Sequence, residues 1–193
     1  MGVEILEKPL PKPTSEDYIS ARLLEALTEA NLALEFLSKG LVRNAAGKAF
    51  QAWRAFLASL LRLELDRLLK IVKSDEERRW LMERAVPRVP TGRMKALSQM
   101  LEEAGHPGIS LGTALALDLH DYQYNGPDPD MAVSKYRSRG EAAVDVKLLV
   151  RELARRVEEL KPRVKWGIEL ENMLKTVVGV LDGKQETCAG EGE

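Results

Sequence analysis

"LVRNAAGKAFQAWRAFLASLLRLELDRLLKIVK", residues 41–73, runs for more than thirty residues without a proline. Its uninterrupted helix formers predict one continuous helix of up to about 50 Å, the longest element of the chain. Ala45, Ala49 and Ala52 fall on one side, where small side chains let a neighbouring helix approach closely. Trp53, Phe56 and Leu60 supply bulk further along. Just upstream, Leu23, Leu27, Ala30, Leu34 and Leu37 recur at steps of three and four and draw a single apolar stripe ending at Gly40. A helix from about Ser15 to Gly40, joined so briefly to the next, predicts a tight antiparallel hairpin.

Outward from the hairpin, Pro9, Pro11 and Pro13 hold residues 1–14 as an extended arm, and "TSED" at 14–17 supplies capping groups for the first helix. Downstream, "SDEE" at 74–77 is a capping box that opens a short helix ending before Pro87. "PRVPTGR" then reads as a loop, a fourth helix spans about Thr91 to Ala104, and "GHPG" stops it. Ser110 is placed to cap a fifth helix, which "NGPDPD" at 125–130 terminates. Val144, Leu148, Leu149, Leu153 and Val157 mark a sixth up to Pro162, and a seventh covers about Val164 to Leu181. No strand and no fixed-period repeat is legible. The fold class is all-α, an up-and-down bundle of about six to seven helices forming one domain over residues 15–182, followed by a disordered polar tail at 183–193.

The 30 acidic and 29 basic residues nearly cancel, so no global field draws the protein to nucleic acid or to a membrane. Charges interrupt every apolar run before it could span a bilayer, and the first residues do not form a secretory signal. Leu at position 6 defeats a myristoylation reading of Gly2. The single cysteine, Cys188, has no disulfide partner. A soluble, cytoplasmic protein follows, and with two histidines and no Cys-x-x-Cys pair, no metal and no cofactor is expected.

Chemistry concentrates in "LALDLHDYQYNG", residues 115–126, which holds His120 between Asp118 and Tyr122. The helix around it is apolar nearly all round, which predicts a central position and a core or dimer-interface role for His120 and Tyr122. His106, in the "GHPG" loop, reads as an exposed turn residue. Trp53, Trp80 and Trp166 read as core. Two basic stretches stand out: "RAVPRVPTGRMK" at 84–95, with Arg88, Arg93 and Lys95, and "KYRSR" at 135–139, with Lys135, Arg137 and Arg139. Positive groups beside an aromatic suit phosphate and base contacts with RNA, although short charge runs are more often solvated surface.

The join "FLSKGLVRNAAGKAFQAWRAFLASLL", the helix ending "LHDYQYNG" and the following "PDPDMAVSKYRSRGEAAVDVKLLVREL" together resemble the HEPN superfamily of helical domains, closest to archaeal PaREP-type proteins. The resemblance covers about residues 15–160 and implies a helical bundle that forms a homodimer. Many such proteins are metal-independent ribonucleases with an Arg four to six residues before a His-x-Tyr. His120 and Tyr122 match the second half of that motif, but the Arg would fall at Thr113, Ala114 or Leu115, none of them basic. The resemblance therefore implies a non-catalytic member binding nucleotide, RNA or a protein partner, in an archaeal defence or toxin–antitoxin setting. Two alternatives stay open: a divergent ribonuclease in which Arg137 or Arg139 supplies the missing charge, and a helical partner of a minimal nucleotidyltransferase that acts on Tyr122.

Overall fold

The computed structural model describes residues 9–183. Cys188, nearly all of the expected tail and the first eight residues of the expected arm lie outside them. The protein is all-helical, a helical bundle without a strand among the described residues.

Helix α1 (Tyr18–Ser38) turns its Leu23, Leu27, Ala30 and Leu34 stripe into the core. It starts three residues later than Ser15, because Ser15 and Asp17 sit in a turn ahead of it and Asp17 makes no side-chain cap. Gly40, at φ +73°, lets the Leu41 amide reach back to the Phe36 carbonyl and so closes the helix. The chain then reverses into α2 (Val42–Leu63), and α1 and α2 form the most extensive helix pair in the molecule. A Lys48–Glu29 ion pair of 2.8 Å ties them across the antiparallel register. Ala45, Ala49 and Ala52 are fully buried at this close approach, as their size predicts.

The long helix expected over residues 41–73 is broken. It ends at Leu63, and α3 (Leu65–Ile71) resumes after Glu64, whose backbone leaves helical geometry at ψ 11°. The carboxylate of Glu64 turns inward, where it is 2% exposed and held by His106 and Arg163. With 22 residues α2 only equals α8 (Arg139–Leu160) in length.

Ser74 caps α4 (Asp75–Trp80) by accepting the Glu77 amide, and Glu77 returns the bond to the Lys73 amide. The expected stop before Pro87 does not occur. A π-turn at Leu81–Ala85, closed by the Val86 amide on the Leu81 carbonyl, carries the helix into a single turn, α5 (Val86–Arg88), which includes Pro87. The chain breaks instead at Val89, a β-branched residue in the left-handed region at φ 42°. The stretch from Thr91 begins as a 3-10 turn, and α6 proper spans Met94–Glu103.

Helix α7 (Ile109–Asn125) is not capped by Ser110. Gly108 occupies the cap position, and the Glu102 carboxylate reaches over from α6 to accept the Ser110 amide at 2.9 Å, a negative group at a helix N-terminus. Ser138 and Glu141 form a capping box at the head of α8. The last helix, α9 (Ile168–Leu181), starts four residues later than Val164.

The centre of the bundle is α2, not α7. Every residue from Ala55 to Leu61 is buried, and α2 touches α1, α5, α6, α7 and α8. Helix α7 lies outside it, with Leu111 78% and Tyr124 68% exposed. The two meet at Gly112, whose missing side chain makes room for the Trp53 ring, while the Trp53 indole donates to the Thr113 hydroxyl at 3.0 Å. Trp53 is core as expected, whereas Trp80 and Trp166 are half-buried beneath Arg93 and Lys161.

Candidate functional site

Near the C-terminal end of α7, His120 is half-buried and stacked on Phe50 of α2, with ring centroids 4.1 Å apart and planes 29° from parallel. Tyr124 meets the other side of the imidazole edge-on at 5.3 Å. The Gln123 amide donates to Nδ1 at 2.7 Å, which leaves the proton of the neutral ring on Nε2. Burial holds this imidazole below its usual pKa; Asp121 opposes that shift and Arg54 adds to it.

Tyr122 belongs to a different environment. Its ring is fully buried edge-on to Tyr136 at 5.4 Å, and its hydroxyl has no hydrogen-bond partner. Burial raises its pKa. His120 and Tyr122 are thus not brought into one site, and an external enzyme acting on Tyr122 would find its hydroxyl inside the protein.

Arg54, which drew no attention in the sequence, links two features. Its guanidinium lies 5.8 Å from the centroid of Phe50, on the ring that stacks with His120. It also lines a cleft of about 280 Å³ together with Arg22, Glu25, Arg88 and the Pro87–Val89 turn. Arg22 is committed, donating to the Tyr18 hydroxyl, the Glu25 carboxylate and the Pro87 carbonyl. Arg54 and Arg88 have no ion pair or side-chain hydrogen bond among the described residues. Two free guanidiniums beside a held one make a cleft suited to phosphate oxygens. Phe50 and Arg54 stand four apart on α2 and so on one helix face, a spacing that pairs them but does not reveal the cleft.

The other basic residues are dispersed. Lys95 and Lys135 both act on Asp118 of α7, whose carboxyl burial raises despite them. Arg93 covers Trp80 at 5.2 Å, Arg139 faces the Tyr122 side, and Arg137 is exposed. The arginine whose charge adds to the lowering at His120 is Arg54.

His106 is not an exposed turn residue. It is buried, and its Nε2 lies 2.9 Å from the Glu64 carboxylate, which also takes Arg163 and, at 3.3 Å, Arg67. Burial alone would raise the Glu64 carboxyl, but the hydrogen bonds from His106 and Arg163 hold it below the usual range. Among the described residues no three His, Cys, Asp or Glu side chains stand close enough to share a metal ion, and no helix is long and apolar enough to cross a membrane.

The family described as the archaeal PaREP1/PaREP8 family matches residues 21–147, from the first turn of α1 into α8. No curated protein and no solved structure matches the chain.

Proposed function

The chain belongs to the archaeal PaREP1/PaREP8 family, and from that premise we propose that it is a non-catalytic helical bundle that binds single-stranded RNA or a nucleotide across one face of α2. The observation that carries the reading is the double placement of Arg54, over the Phe50–His120 stack and in the cleft with Arg22 and Arg88. Exposed Tyr124 offers a base a ring to stack on, and Arg54 and Arg88 offer its phosphates free donors. The near-zero net charge makes such binding local.

Fluorescence anisotropy with a labelled single-stranded RNA tests the reading. Replacing Arg54 and Arg88 together by Ala should weaken binding and flatten its salt dependence, because two phosphate contacts are lost. Tyr124→Ala should cost roughly 1–3 kcal/mol of binding, the usual worth of one stacked base. Affinity unchanged in both variants would refute the reading.

A second reading, a divergent metal-independent ribonuclease, is favoured by Arg54 alone, since it brings to His120 the positive charge that Thr113, Ala114 and Leu115 lack. Metal-free cleavage of RNA that disappears in His120→Ala at unchanged melting temperature would establish it. The homodimer implied by the HEPN resemblance is part of the proposal, supported by the exposed Leu111, Val144 and Leu148 on α7 and α8.

A further inference from the structure

Gly47 stands inside the 22-residue helix α2, where glycine is the weakest helix former after proline. The small residues that bring neighbouring helices close to α2 are the buried Ala45, Ala46, Ala49 and Ala52, so close packing does not by itself account for a glycine at the half-buried position 47. What fills the place of its missing side chain is Gln123 of α7: a Cβ on Gly47 would stand 2.3 Å from the Gln123 Oε1 atom.

Gln123 is thereby turned back onto His120, one helical turn before it, and its amide donates to the imidazole Nδ1 at 2.7 Å. Both ends of the amide are matched in this orientation. Oε1 faces the Cα–H of Gly47, a weak donor, and the NH2 group faces a ring lone pair; turned over, the NH2 group would face only C–H. Because Nδ1 accepts, the neutral ring carries its proton on Nε2, and burial together with Arg54 favours the neutral form against the pull of Asp121. Phe50, stacked at 4.1 Å, and Tyr124, at right angles at 5.3 Å, fix the plane of the ring. The imidazole is thus set in place and in tautomer, and its one unmatched polar group is the Nε2–H donor, which makes no hydrogen bond among the described residues.

We propose that Gln123 is a positioning residue that makes His120 a hydrogen-bond donor to the RNA base, so that the site selects uracil and guanine, whose exocyclic carbonyl accepts, over cytosine and adenine, whose amino group in the same place donates. This deepens the RNA reading and rests on it: a base stacked on Tyr124 brings its edge to the imidazole beside that ring. A donor of fixed direction discriminates because the wrong base sets two donors against each other and leaves Nε2–H unpaired. In its other tautomer His120 would present an acceptor there and favour the amino bases, so the choice of base lies with Gln123. The glycine that weakens α2 is what lets Gln123 reach its place.

Fluorescence anisotropy with labelled oligouridylate and oligocytidylate of equal length, at about pH 8 and fixed salt so that His120 is neutral, tests the proposal. Oligouridylate should bind about tenfold more tightly, the effect of one hydrogen bond gained and one clash avoided. Gln123→Leu frees the ring to take either tautomer, and the ratio should fall to about twofold while the salt dependence stays as it was. Gly47→Ala reaches the same end from the other helix: the new Cβ displaces the flexible end of Gln123, so the ratio should fall likewise, although the melting temperature holds or rises with the gain in helix propensity. A merely structural role for Gln123 would move the melting temperature and leave the ratio alone. Ring-nitrogen shifts of the free protein, read by NMR, should show His120 protonated at Nε2 in the wild type and a mixture of tautomers in both variants. Equal affinity for the two oligonucleotides in the wild type, a preference that survives both variants, or a wild-type ring protonated at Nδ1 would overturn the proposal and leave the RNA reading standing. Binding of neither oligonucleotide would refute both.

Discussion

At Gly112 a single added methyl group would stand 2.3 Å from two atoms of the Trp53 ring. Trp53 cannot retreat, because it is fully buried and hydrogen-bonded to Thr113. Gly112→Ala should therefore destabilise the protein by roughly 1–3 kcal/mol despite its gain in helix propensity, read as a lower denaturant midpoint. Glu64 gives a pH-dependent case. Its folded pKa is depressed, so its contribution to stability is fully present above the unfolded carboxylate value, about 4.3, and is lost as pH falls through the lower folded value. Glu64→Gln should flatten the fall in melting temperature over that acid window. His120 has the same sign at a higher pH: its depressed folded pKa makes its contribution largest above about 6.5 and reduces it as pH falls through the folded value.

Among the elements, legibility followed the range of the interactions. Gly40, the Ser74 capping box and the α1 stripe depend on residues within a few positions of one another, and the sequence reading located all three. The break at Glu64 depends on His106 and Arg163, 42 and 99 residues away, while both halves of the segment keep a helical apolar pattern. The same distance effect hid the true cap of α7, because Glu102 reaches Ser110 only after the chain has turned at 105–108. The capping box at Ser138 is equally local, a Ser-x-x-Glu like that at Ser74, yet the expectation for the sixth helix did not include it. Ser138→Ala should cost about 1 kcal/mol and lower the thermal midpoint, as loss of an N-cap does. Of the candidate site, His120 was legible as a lone imidazole in an apolar helix, whereas Arg54 was not, because its role arises only where α1, α2 and the 86–89 turn meet.

For the whole molecule, composition was enough to indicate helices packed on helices, but not which helix lies at the centre. The apolar content of α7 suggested a central position, yet Leu111 is its most exposed apolar residue, which is why a homodimer is proposed through this face. Sedimentation velocity should find a dimer, and Val144→Glu with Leu148→Glu should return it to monomer without loss of helical signal. The turn that walls the arginine cleft is fastened from α1 at two points, by the Tyr18 hydroxyl on the Val86 carbonyl at 2.9 Å and by Arg22 on the Pro87 carbonyl at 2.6 Å. This fastening makes the cleft preorganised: its cost in chain entropy is met during folding, so an incoming phosphate need not order the turn. Tyr18→Phe, which removes one fastening and one of the bonds that hold Arg22 but no charge, should then weaken RNA binding a few-fold through a less favourable binding entropy, while the slope of affinity against salt stays as it was.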